Sequence, residues 1–147
     1  MSKENNTTGT LLSKLFKTSN VGRFIKNHDK DMQDYLSFDK YLKQLCTEKN
    51  LKPGWVIKKS NLERTYGHQI FNGTRNPSRD KVIQLAFGFG LDYDETQELI
   101  KEARKNPLYA KIKRDAVIIY ALKNEHSITA LDNTLYELSL PLLGKEE

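Results

Sequence analysis

The stretch SNLERTYGHQIFNG, residues 60–73, decides the fold: a short polar turn, about ten helix-compatible residues and an Asn-Gly stop. Arg64, Thr65, His68 and Gln69 lie on the helical part, with Leu62 and Ile70 on its apolar side. Upstream, Pro53 suits the first turn of a helix, where a backbone N–H has no intrahelical partner to lose. The spacing therefore predicts a helix over 53–59, with Val56 and Ile57 inward. Asn61 falls in the turn between the two, and Asn is second only to Gly in tolerating left-handed backbone. Two short helices joined by a tight turn result, the second carrying an exposed polar face.

The chain around this pair has 147 residues, 37% hydrophobic and 29% charged, which is enough for one domain with a buried core. No apolar run reaches the length of a membrane span, and the N-terminus, MSKENNTTGT, lacks a signal peptide's apolar segment. With Cys46 alone a disulfide framework is excluded, so a cytoplasmic setting is expected. The net charge of +5 is uneven: +1 over residues 1–39, +7 over 40–81 and −3 over 82–147. The basic third coincides with the helix pair, as a face that attracts a polyanion would require; a solvated Lys-rich surface has the same charge.

Residues 1–37 are read as an N-terminal arm, partly disordered. From Thr10 a short amphipathic helical pattern begins at Leu11, Leu12, Leu15 and Phe16; Ser19, Asn20 and Gly22 interrupt it before Val21, Phe24 and Ile25. Lys14, Lys17, Arg23 and Lys26 lie between the apolar positions. The arm can fold onto the domain, order on a protein partner or lie on a membrane surface, and the Asn and Gly interruption argues against the last. Asp39 is expected to cap a helix running to about residue 49, with Tyr41, Leu42, Leu45 and Cys46 inward.

Residues 51–95 resemble, without a gap, the phage-repressor or Cro-type helix-turn-helix family, also called the xenobiotic-response-element family. Val56 takes the family's Leu, Asn61 its turn Gly, and Leu62 and Ile70 its apolar positions in the reading helix. The exit NGTRNPS (residues 72–78) is similar to the usual Gly, basic residue, Pro stretch, and Val82, Leu85 and Ala86 take the following helix's apolar face. The resemblance implies an all-α, five-helix domain over 38–105. Its reading helix would turn Arg64, Thr65, His68 and Gln69 toward base edges: Arg suits guanine, Gln suits adenine and a Thr methyl suits thymine. Asn72, Thr74, Arg75 and Arg79 would meet phosphate, with backbone N–H groups near Ser78. Three residues depart from the pattern. Pro53 replaces a Gln that often contacts phosphate, Phe71 stands in place of Glu, and Gly67 in place of Ile or Val. Ile57 stands where the family has Ala, and a large-for-small exchange conserves volume, so Ile57 is expected to pack over Gly67.

Beyond Gly90, Asp92 with Glu95 is a capping-box start for a helix to about residue 104. Residues 114–138 then echo 79–103 at an offset of 35: Arg79/Arg114, Asp80/Asp115, Val82/Val117, Ile83/Ile118, Ala86/Ala121 and Glu102/Glu137 are identical. A second helix hairpin is expected over about 112–124 and 127–139, stacked on the first within a C-terminal region 106–147. The strings RTYG-x-QIFNG (64–73) and RDAxIIYAL (114–122) are similar to those of a group of small bacterial helix-turn-helix proteins with such an added hairpin.

The expected function is sequence-specific binding of double-stranded DNA as a transcriptional regulator. The alternative is a protein–protein adaptor using the same surface, with Trp55, Tyr66 and Phe71 as contact patch. One reading helix covers few base pairs, so a homodimer is expected; the arm, or the C-terminal hairpin with Ile118, Ile119, Tyr120, Leu135, Tyr136 and Leu140, can supply its interface. No catalytic residues, metal ligands, cofactor or membrane partner are expected. His28, His68, His126 and Cys46 lack ligand spacing, and the run Asp92, Asp94, Glu95, Glu98 and Glu102 fits the charge preference of a helix start.

Overall fold

Polar side chains close the first turn of most helices. Thr7, Asn20, Ser78, Asp92 and Ser127 each accept a backbone N–H, satisfying one of the donors that a helix start leaves open. The computed structural model describes residues 7–31 and 37–144, and among these residues it is all helix and turn, with no strand. The chain divides into two compact units, residues 1–35 and 36–147.

The described part of the first unit holds α1 (Thr8–Lys17), α2 (Val21–Asn27) and a single 3-10 turn, Asp29–Asp31. The two α-helices part at Thr18–Asn20, where Asn20 Oδ1 accepts from Arg23 N at 2.9 Å. Asn20 therefore starts a helix, and Gly22, expected to interrupt one, lies inside α2. Phe24 is buried, its ring 4.6 Å from that of His28. Part of the arm expected to be disordered, residues 1–6 and 32–36, lies outside the described residues; Thr8, Gly9 and Thr10 are helical.

The second unit runs α3 (Phe38–Lys49), α4 (Pro53–Lys59), α5 (Arg64–Phe71), α6 (Arg79–Phe89), α7 (Tyr93–Glu102), α8 (Lys113–Lys123) and α9 (Ile128–Glu137). α3 starts at Ser37, so Asp39 sits in its first turn and is not the cap; its charge still favours that end. Asn50 ends α3 in the left-handed region at φ 54°, and Asn61 turns the chain between α4 and α5 at φ 55°. α4 packs on α5 and α6, α3 on α5, α6 on α7, and α8 on α7 and α9. One core of apolar side chains continues through all seven helices, from Leu42 through Val56, Ile70, Leu85 and Leu99 to Leu131, and closes on Leu143. Cys46 belongs to it, and burial pushes its thiol pKa up, away from the reactive thiolate.

The echo at an offset of 35 extends to contacts, including ones whose acceptor residues differ between the two halves. Gln97 Oε1 accepts from Leu108 N at 2.8 Å, and 35 residues later Asp132 Oδ1 accepts from Leu143 N at 2.6 Å. Arg79 donates to the carbonyls of Asn106 and Pro107, and Arg114 to those of Pro141 and Leu142. The ion pairs, however, are exchanged. Arg79 holds Asp115 with two bonds of 3.1 and 2.8 Å, and Arg114 holds Asp80 with two of 2.8 and 3.0 Å. When residue i meets j' and i' meets j, the two hairpins are related as by a two-fold axis.

Candidate nucleic-acid interface

α5 is eight residues long, and spacing alone divides it into two faces. Gly67, Ile70 and Phe71 point inward and are buried; Arg64, Thr65 and His68 are exposed and Gln69 is half-buried. The second set recurs at i, i+1, i+4 and i+5, which places all four side chains on one side of a helix. The four residues predicted to read bases therefore share one outward face.

The first turn of that face is fixed by Glu63. Its carboxylate accepts from Thr65 N at 3.0 Å and Tyr66 N at 2.7 Å, so Glu63 is the N-cap and not an outward-reaching contact. The Tyr66 and Thr65 backbone N–H groups hold its pKa below the usual carboxylate range. The folded-state pKa being the lower one, the cap is intact at and above the ordinary value of about 4.3. It is lost as pH falls through the folded-state value. Carbon-detected NMR titration of the Glu63 side chain is expected to give a midpoint below the ordinary value of about 4.3; a midpoint at that value would remove the cap.

Gly67 is where α5 meets α4. A Cβ built there would stand 2.4 and 2.8 Å from Ile57 Cγ2 and Cγ1, so Ile57 fills the space of the absent side chain, as the large-for-small exchange predicts. Arg75 returns over the outer side of α5. Its guanidinium lies 5.3 Å from the Tyr66 ring centre, and its Nε donates to Gln69 Oε1 at 3.2 Å. This contact positions the Gln69 amide, leaving one lone pair on its oxygen and both N–H donors for a ligand. Asn72 Oδ1 accepts from the backbone and hydroxyl of Thr74, shaping the exit turn, and Gly73 follows at φ 82°.

Ser78 caps α6 by accepting from Lys81 N at 3.4 Å, so of the phosphate contacts expected at this position the backbone N–H groups are the ones its side chain does not bear on. Arg79 is removed from that role. All of its guanidinium nitrogens are engaged, by Asp115 and by the Asn106 and Pro107 carbonyls. The expected aromatic patch is also divided. Phe71 is only 4% exposed and packs 6.3 Å from Phe89, because it shares the inward face with Gly67 and Ile70. Tyr66 lies under Arg75. Trp55, 48% exposed with Lys59 Nζ 5.5 Å from its ring, lines a separate groove with Asn61, Phe89, Ser127 and Ile128. Of the hairpin residues considered for an interface, Ile118 and Leu135 are core, whereas Tyr120 and Tyr136 are exposed.

Three cations near the pair were not singled out in the sequence: Lys52 before α4, and Lys58 and Lys59 in its last turn, all exposed. Their signal was present in the +7 segment. Among the described residues, no three His, Cys, Asp or Glu side chains group so as to hold a metal ion. No helix among them is long and apolar enough to cross a membrane. Family models, curated proteins and solved structures yield no match to this chain.

Proposed function

We propose that residues 51–95 form a Cro-type helix-turn-helix and that the protein binds double-stranded DNA sequence-specifically, as a transcriptional regulator. The observation that carries this reading is the single outward face of α5, bearing Arg64, Thr65, His68 and Gln69 within the segment of +7 charge. Arg offers a two-pronged donor, and a Gln amide offers donor and acceptor together, the pairing that base edges in a major groove accept. Asn72, Thr74, Arg75 and the backbone at the start of α6 flank this face, and phosphate contacts there would set the register of the helix in the groove. A dimer on two half-sites would supply the remaining affinity, with the exposed Tyr120 and Tyr136 as candidates for its interface.

The adaptor reading is weaker on this surface, because Phe71 is buried and Tyr66 lies under Arg75, which leaves Trp55 as the exposed member of the expected patch. Selection of duplexes from a random pool by the purified protein tests the proposal. An enriched motif is expected, and Arg64→Ala with Gln69→Ala is expected to abolish the enrichment. Absence of any motif at low salt would overturn it. Bulk binding to unselected DNA carries no weight, since any basic protein shows it.

A further inference from the structure

The first unit leaves its apolar side chains outward. α1 buries no residue, and Leu12, Leu15 and Phe16 are exposed, Phe16 at 79%; Val21 and Ile25 of α2 are exposed as well. Within α1, Leu11, Leu12, Leu15 and Phe16 recur at i, i+1, i+4 and i+5 and form one stripe, which Lys14 and Lys17 leave uninterrupted. Within α2, Val21, Phe24 and Ile25 recur at i, i+3 and i+4, and Arg23 and Lys26 fall on the other side. Phe24 turns instead into a groove between the helices, lined by Lys14, Lys17, Arg23 and His28.

Charge selects what can cover such stripes. From residue 5 to residue 28 there are four Lys and Arg and no Asp or Glu. A second copy of the same segment would bring like charges together as it buried the apolar residues, which is unfavourable. Duplex DNA would neutralise the cations but give Leu12, Phe16 and Ile25 nothing apolar to meet. An anionic lipid surface offers both, acyl chains for the stripe and headgroup charge for the cations. It also demands no shape complementarity of two short helices. Asn20 and Gly22, which as interruptions would have spoiled such a surface helix, instead cap α2 and lie within it.

We propose that α1 and α2 lie on an anionic membrane surface, with Leu12, Leu15, Phe16, Val21 and Ile25 toward the acyl chains and Lys14, Lys17, Arg23 and Lys26 at headgroup level. This is attachment without crossing, and it is independent of what α5 reads.

Cosedimentation of the full chain with vesicles tests it, using phosphatidylcholine alone and phosphatidylcholine mixed with phosphatidylglycerol. Binding is expected to the mixed vesicles and to fall when salt is raised. Leu12→Ser with Phe16→Ser is expected to lower it roughly tenfold or more, two apolar side chains no longer leaving water. Lys14→Gln with Lys17→Gln is expected to lower it by about twenty-five-fold, each cation near an anionic surface contributing about fivefold. A chain with Phe16→Trp and Trp55→Phe carries its single Trp on the stripe, and its emission is expected to shift to the blue on mixed vesicles. Far-ultraviolet circular dichroism and unfolding midpoints of the variants, unchanged from the parent, exclude loss of the second unit as the cause. Binding insensitive to Leu12→Ser and Phe16→Ser would overturn the proposal, placing the contact on the basic residues 40–81. So would failure to bind mixed vesicles, including the case where the same substitutions abolish a dimer or a complex with an acidic protein.

Discussion

Arg79→Ala is expected to destabilise the second unit by about 3 kcal/mol or more, the cost of leaving a buried carboxylate without its ionic partner. Asp115 is 2% exposed and accepts three hydrogen bonds, two from Arg79 and one from Tyr109 N at 3.0 Å. Removing Arg79 takes away two of the three and also frees the Asn106 and Pro107 carbonyls that anchor the connection between the hairpins. In the related pair the carboxylate is the more open partner, the Asp80 side chain being 34% exposed and Arg114 16%. Asp80→Ala is accordingly expected to cost about 1–2 kcal/mol, since water can take over part of what Arg114 loses. Urea unfolding followed by circular dichroism gives both values. Replacing the whole inner pair, Arg79→Met with Asp115→Leu, is expected to recover part of the loss, because a well-packed apolar pair has no charge to desolvate. Equal small costs for Arg79→Ala and Asp80→Ala would mean that neither pair clasps the hairpins.

The second large effect is at the seam between α4, α5 and α6. Gly67→Ala is expected to cost about 1–3 kcal/mol by overpacking, less what Ala gains over Gly in a helix. Ile57→Ala alone is expected to cost about 2–5 kcal/mol as a cavity. Together they are expected to cost less than the sum by about 1–2 kcal/mol, the signature of two residues sharing one space. Gly88→Ala behaves differently. Its Cβ would stand 1.9 Å from Ser60 Oγ and 2.7 Å from the Val56 carbonyl oxygen, a backbone atom that no side-chain substitution moves. It is expected to be at least as costly as Gly67→Ala and to gain nothing from Ile57→Ala. Additivity of Gly67→Ala with Ile57→Ala in unfolding experiments would contradict the shared site.

What could be read from the residues depended on how local its cause was. Helix ends came from caps and turns within a few positions: Pro53, Asn61, Asn72 with Gly73, and Asp92 with Glu95. Ile57 against Gly67 was legible because the two volumes deviate in opposite directions from one pattern. The role of Arg79 was not, although its signal lay in plain view. The Arg-Asp dipeptide at 79–80 recurs at 114–115, and only the folded chain brings the ends of the two hairpins together to exchange partners. Phe71 could have been placed inside from spacing alone, four residues from Gly67 and one from Ile70. Arg75 over Tyr66 and Gln69 had no such signal, since the path of the 72–78 loop decides it.

α5 thus presents a capped outward face whose outer edge is organised by Arg75, while Arg79 and Phe71 belong to the framework. The most direct measurement on that face is the ratio of affinities for the selected duplex and a scrambled duplex of equal length, at one fixed salt concentration. The parent is expected to prefer the selected duplex by about a thousandfold, the lower range for specific readers. Arg64→Ala is expected to reduce that preference by about 1–3 kcal/mol, with little change in affinity for the scrambled duplex. A ratio near one in the parent, or a ratio that Arg64→Ala leaves unchanged, would contradict the reading role of α5.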